Sequence, residues 1–225
     1  MSAMLEFTRR AFVHLLVSAC LCLFFAAPVC AQNDLSTITI LQPVSGCALS
    51  ATENVTIRLF NFGPTLVAGT SFNVAYTINS GVPTTELVTL STNLLGNSSF
   101  NYTFTTRANL STPGFYTFAA TVSLAGDVNP TNDAFSGYVV ESVAASNAGT
   151  LSGPSSGSTG VLTVTGNTGA IVQWEESPDA QRWFKLANTT TTQSFSGLNA
   201  TTHFRARVAN GACGNPVSNV VTVVP

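Results

Sequence analysis

From Ser36 onward, apolar and polar side chains alternate in short runs separated by clusters of Gly, Pro, Asn and Ser. No apolar period of 3.6 residues outlasts a single turn, so the pattern predicts extended strands joined by turns rather than helices. It predicts strands over 37–41, 54–61, 70–79, 84–90, 98–105, 115–124 and 134–143, and, after the polar segment 144–148, over 161–165, 171–176, 183–186, 191–195, 202–210 and 217–224. Strands this short, at this spacing, suit pairs of packed antiparallel sheets. The expected fold is all-β, with two tandem immunoglobulin-like β-sandwiches over residues 32–143 and 144–225.

Alternation also assigns an inside to each strand. Val55, Ile57 and Leu59 share a face opposite Thr56 and Arg58, and Phe72, Val74, Tyr76 and Ile78 share another. Phe100, Tyr102 and Phe104 form an aromatic row, while Tyr116, Phe118, Ala120, Val122 and Leu124 line a further strand. These faces are expected to meet in one core, where each fully buried large side chain contributes about 1.5–3 kcal/mol. In the second unit Val172 and Trp174 are expected inside, opposite Gln173 and Glu175, and Phe204, Ala206 and Val208 oppose His203, Arg205 and Arg207. Glu175 would then stand across from Arg205 or Arg207 on a solvated face, where an ion pair is worth about 0.2–1 kcal/mol.

The first 31 residues read differently. Arg9 and Arg10 precede an apolar stretch over 11–27 that exits through Val29, Cys30 and Ala31, the layout of a secretory signal peptide cleaved after Ala31. Gln32, Asn33 and Asp34 supply no positive stop-transfer cluster, so no transmembrane span is expected in the mature chain. A rival reading takes Val17, Ser18, Ala19 and Cys20 as a lipobox that leaves a lipidated Cys20; the apolar run continuing seven residues past Cys20 favours the signal peptide. Either way the chain is exported, to a cell surface, the periplasm or the medium. Removing residues 1–31 from 225 leaves 194, with 6 basic and 9 acidic side chains and a net charge of −3.

Composition narrows the partners. At 45% hydrophobic and 8% charged the chain is no disordered tail, and with Lys185 its single lysine it lacks the cationic footprint that nucleic acid requires. After cleavage only Cys47 and Cys213 remain. They lie in different predicted units and strand spacing gives no support for a bridge, so unpaired or intermolecular thiols are the expectation.

Two groups of strings carry a family likeness. SGCALSATENVTIRLFNFG (45–63), FNVAYTINSG (72–81), NYTFTTRANLSTPGFYTF (101–118) and AGDVNPTND (125–133) resemble the cell-adhesion-related, CARDB-like β-sandwich repeats of large exported bacterial surface proteins. IVQWEESPDAQRWFKL (171–186) with THFRARVANGACGNPVSNVVTV (202–223) resembles an Ig-like repeat of gliding-associated and adhesin-type proteins. The resemblance implies a non-enzymatic, exported adhesion or spacer module with a protein or glycan partner at a cell surface, and it carries over no catalytic residue. Family members of the second type often have a Cys shortly before the first core strand; here Pro154, Ser155, Ser156 and Gly157 stand there, leaving Cys213 without a local mate. No sorting domain precedes Pro225, which fits a piece of a longer adhesin or a short released relative.

Several residues could carry chemistry, each with a plainer reading beside it. Gly153, Pro154, Ser155, Ser156 and Gly157 have nucleophile-elbow spacing, but no helix is predicted after them and His203 is the only mature histidine, so a flexible loop is expected. Asp127, Asn129, Asn132 and Asp133 offer four oxygen donors that Ca²⁺ could use; without a bidentate Glu, local Asx bonding around Pro130 is the favoured reading, and no cofactor is expected. Trp174 reads as a core tryptophan. Trp183, after the turn Ser177, Pro178, Asp179 and Ala180, either covers the core edge or presents an aromatic face to a glycan. His203, Arg205 and Arg207 form a basic stripe that could receive an acidic partner or be a solvated strand face. Asn54, Asn97, Asn101, Asn109, Asn188 and Asn199 open N-glycosylation patterns, expected to stay unmodified in a bacterial protein.

Overall fold

The computed structural model describes residues 32–225; the expected signal peptide, the expected cleavage after Ala31 and the alternative lipidation at Cys20 lie outside the described residues. The fold is all-β, as the alternation predicts. In the first sandwich, β1 (Leu35–Gln42), β3 (Thr56–Asn61) and β6 (Ser98–Thr103) form one sheet in the order β1-β3-β6. The facing sheet contains β2 (Gly46–Cys47), β4 (Ser71–Ile78), β5 (Thr84–Thr89), β7 (Gly114–Ser123) and β8 (Ala134–Val143) in the order β2-β8-β7-β4-β5. Every pairing is antiparallel except the two-residue parallel bridge of β2 with β8.

The faces assigned from the sequence meet in this core. Val55, Ile57 and Leu59 are fully buried, as are Val74, Phe118 and Ala120 from the opposite sheet. Aromatic edges cross the gap: Phe72 packs on Phe100 with centroids 6.4 Å apart, and Tyr76 on Phe104 at 4.8 Å, both near perpendicular. Where β7 and β8 slip register beyond Phe118, Gly137 at φ 80° supplies the left-handed residue that lets Phe135 and Tyr138 both turn toward the core.

Two polar side chains close the sandwich at its margins. Asn61 is fully buried, and its Nδ2 donates to the carbonyls of Pro64, Leu94 and Leu95 while its Oδ1 accepts from Gly63 N at 3.1 Å. The chain beyond it runs so close to its neighbours that a Cβ on Gly63 would stand 2.7 Å from Asp34 N. At the other margin, Glu86 of β5 reaches the strand opposite. Its carboxylate accepts from Tyr102 Oη at 2.6 Å, Thr105 N at 3.0 Å, Thr105 Oγ1 at 2.7 Å and Thr106 N at 2.8 Å. Burial pushes the Glu86 carboxyl up, but these four donors outweigh it and hold it at about 2, against an ordinary 4.5.

In the second sandwich β9 (Thr150–Ser152), β10 (Gly160–Thr165) and β13 (Thr192–Phe195) form one sheet in the order β13-β10-β9. β11 (Ala170–Ser177), β12 (Phe184–Leu186), β14 (Thr202–Ala209) and β15 (Val221–Val223) form the other, in the order β12-β11-β14-β15. Trp174 is fully buried with its Nε1 donating to Thr190 O at 2.9 Å, and Phe195 stacks on Phe204 across the sheets at 5.5 Å. One inside assignment is corrected. A register shift between Ile171 and Gln173 inserts an extra residue, so Ile171 joins Trp174 in the core and Val172 is 38% exposed.

The expectation of unpaired thiols is also corrected: Cys47 and Cys213 are joined in a disulfide, with Cα atoms 5.3 Å apart. What brings them together is the connection between the sandwiches. β2 runs alongside the end of β8, with Ala48 N donating to Val143 O at 2.8 Å, and the turn that carries Cys213 grips the next residues from the other side. Asn210 Nδ2 donates to Ala144 O at 2.8 Å, Asn210 N donates to Ser146 Oγ at 3.0 Å, and Ser146 Oγ donates to Gly214 O at 3.1 Å. The bridge therefore crosses a junction already fixed by hydrogen bonds.

Glu86 gives a pH-dependent expectation. Because its folded pKa is depressed, the stabilisation it supplies is full above its ordinary value and is lost as pH falls from 4.5 toward about 2. Glu86→Gln is expected to cost about 1–3 kcal/mol at pH 7 and to unfold with a weaker pH dependence than the parent over that window. Urea titrations at pH 7, 4.5 and 2.5 check both.

Candidate functional site

The densest polar arrangement lies on the outer face of the second sandwich and is assembled by strand register. β11 places Glu175 opposite Arg205 of β14 and Gln173 opposite Arg207. Arg205 Nε donates to Glu175 Oε2 at 2.5 Å; Arg207 Nε and Gln173 Nε2 both donate to Oε1, at 2.7 and 2.6 Å. The expected strand partners are right, but the face is not a wet one: Glu175 is only 5% exposed. Burial raises its pKa, and the hydrogen bonds and charges of Arg207 and Arg205 more than reverse this, so the carboxyl sits below its ordinary value.

Over Arg205 lies Trp183. The turn before it is built by Asp179, whose Oδ1 accepts from Arg182 N at 2.8 Å and Gln181 N at 2.9 Å, with Arg182 Nε on Oδ2 at 3.1 Å. Those backbone bonds come first among the causes that hold the Asp179 carboxyl well below the usual range. With Ala180 at φ 56°, the turn delivers the indole onto Arg205, whose guanidinium carbon lies 3.9 Å from the ring centroid. Trp183 is thus half-buried with one face committed to Arg205, and the outer face is the part left for a ligand. The resulting stack of carboxylate, guanidinium and indole was legible only in part: alternation puts Glu175 beside the arginines, whereas Trp183 arrives through a turn.

The other candidate residues are dispersed. Ser155 is tied through its carbonyl to Val224 N at 3.0 Å, while His203 Nδ1 lies 2.8 Å from Thr222 Oγ1. Among the described residues no hydrogen bond joins Ser155 to His203, and no helix follows the glycine-bounded loop. Around residues 127–133, Asp127 is spent on backbone: Oδ2 accepts from Leu35 N at 2.7 Å and Oδ1 from Asn129 N at 2.9 Å. Asn129 Oδ1 accepts from Thr131 Oγ1 at 2.6 Å, and Asn132 Nδ2 donates to Asp34 Oδ1 at 2.8 Å. Asn132 Oδ1 and Asp133 Oδ1 are buried without a partner. Burial, then the charges of Asp127 and Asp34, pushes the Asp133 carboxyl up. Among the described residues no three His, Cys, Asp or Glu side chains gather closely enough to hold a metal ion.

Comparison with known proteins adds little chemistry. A family model described as "Domain of unknown function (DUF8696)" matches residues 143–224, beginning at the last residue of β8. No curated protein matches. Among solved structures, a CARDB domain from Pyrococcus furiosus, in complex with di-metal ions, is 18% identical over 50% of this chain and 90% of its own, with a TM-score of 0.33. A β-1,2-glucanase from Parabacteroides distasonis is 12% identical over 87% of this chain at a TM-score of 0.32, and the likeness spans only 37% of the glucanase. Fibronectin(III)-like modules from Clostridium thermocellum are 15% identical over 82% of this chain and 90% of theirs, at 0.30. At such scores nothing those proteins bind or cleave carries over to this one.

Two substitutions probe the polar clusters. Glu175→Ala leaves two partly exposed guanidinium groups without their carboxylate and is expected to cost the second sandwich about 1–3 kcal/mol, read by chemical denaturation. Asp133→Asn removes a disfavoured buried charge and is expected to raise the melting temperature at pH 7. Because the parent pKa is raised, that gain should shrink on acidification as Asp133 takes up its proton. Millimolar Ca²⁺ should leave the parent's melting temperature unchanged if the Asx bonds account for the segment; a Ca²⁺-dependent rise would assign a cation to Asp127, Asn129, Asn132 and Asp133.

Proposed function

We propose that this chain is a non-catalytic adhesion or spacer module of an exported bacterial surface. The observation that carries the reading is the junction: hydrogen bonds from Asn210 and Ser146, together with the Cys47–Cys213 bridge, hold two sandwiches in one fixed relation. A fixed relation between two sandwiches suits a spacer. The chemistry-bearing side chains support it too, since Glu86, Asp127, Glu175 and Asp179 are each engaged by hydrogen bonds inside their own sandwich. A second reading, a glycan-binding module, is favoured by one observation, the half-buried indole of Trp183 pre-set over Arg205.

Three assays on the mature protein separate these. Self-association or binding to cells is expected to be indifferent to free sugars and to Trp183→Ala, with no turnover in hydrolase screens. Glycan-array binding lost in Trp183→Ala would replace the spacer reading with the glycan one. Turnover abolished by Ser155→Ala would overturn both.

A further inference from the structure

The disulfide has a consequence that is topological rather than thermodynamic. It joins residues 166 apart in sequence, so nearly the whole of both sandwiches lies inside one covalent ring. Outside that ring the described chain has only the segment from 32 to Cys47, with β1 and β2, and the segment from Cys213 to 225, with β15. Strands β3 to β14, including the fully buried Phe118, Trp174 and Phe204, are all enclosed.

We infer that the Cys47–Cys213 bridge is an extension-limiting tether: tension entering at residue 32 and leaving at residue 225 passes through the two sulfur atoms and bypasses residues 48–212. At about 3.6 Å per extended residue, the taut path through the bridge is roughly 100 Å, against roughly 690 Å for the unbridged chain. Under load the bridged molecule can shed only its terminal strands. Peeling β1 withdraws Leu35 and Ile40 from the first core, and peeling β15 withdraws Val223 from the second. Until then β3 and β14 take load through their pairing with β1 and β15; once the terminal strands have peeled, the enclosed strands bear no tension however far the ends are pulled. The junction hydrogen bonds of Asn210 with Ala144 and Ser146 lie inside the ring as well and are equally relieved, whereas the bond from Ser146 Oγ to Gly214 O ties the ring to the loaded C-terminal segment and bears force until it breaks. This extends the spacer reading, giving such a module a fixed maximum length, but the bypass itself holds for any role in which the chain is pulled from its ends.

Single-molecule force spectroscopy tests it, with handles attached at residues 32 and 225 of the mature chain. The unreduced protein is expected to reach full extension at roughly 100 Å of chain between the handles. Dithiothreitol transfers two electrons and two hydrogens to the paired sulfurs, closing to its own cyclic disulfide, and should lengthen the limit by roughly 600 Å. Cys47→Ser/Cys213→Ser should show the long limit without reductant. The unsubstituted chain is decisive alone should that variant fold poorly. An unreduced protein that extends to roughly 690 Å, or that presents two titratable thiols when denatured without reductant, overturns the inference. Glycan binding through Trp183 would remove the spacer reading and leave the tether standing; a long unreduced extension would do the reverse.

Discussion

Everything in this molecule depends on burying one apolar face of each sheet against another. With so few charged side chains, the free energy comes from rows such as Val55, Ile57 and Leu59 closing on Phe72, Val74 and Tyr76, and Ile171 and Trp174 closing on Leu162 and Val164. Sheets closed in this way leave margins where backbone and polar groups would otherwise be stranded. Asn61 and Glu86 serve the margins of the first sandwich, Asn61 with partners from two segments and Glu86 with four donors from the single segment 102–106. Asn61 matters because the core has excluded water around it, and Glu86 because it gathers four donors at the partly exposed edge.

The same logic explains why the residues with chemical potential are quiet. Glu175 is held between two guanidinium groups and an amide, and its pKa is lowered rather than poised near neutrality. Asp179 organises the turn that seats Trp183. Asp133 sits against the trend, with its pKa pushed up and an oxygen buried without a partner. The stack of Glu175, Arg205 and Trp183 lies on the outer face of the second sandwich, with the carboxylate and the guanidinium in it paired.

Strand positions and inner faces were legible because a period of two is a local property: Phe72 to Ile78 can be assigned without knowing what they pack against. Val172 misled for the same reason. A bulge is a decision made by the pairing with β14, and the alternation of valine, glutamine and tryptophan holds no trace of it. The place of Trp183 over Arg205 was hidden likewise, since it comes from a turn in which Asp179 bonds and a left-handed Ala180 set direction. The disulfide was least accessible of all. Its proximity arises from how the end of β8, the two-residue β2 and the turn at 210–214 converge on the junction, and no local pattern encodes that convergence.

Closing the chain between Cys47 and Cys213 also changes what a protease can achieve. Exposed turns are where backbone cleavage concentrates, and segments such as 79–83 and 178–182 present them in both sandwiches. A single cut anywhere from residue 48 to 212 opens the ring without releasing a fragment, since both pieces stay attached through sulfur. One nick thus leaves a connected object whose cores can stay packed, and only a second cut, or loss of the bridge, parts the pieces.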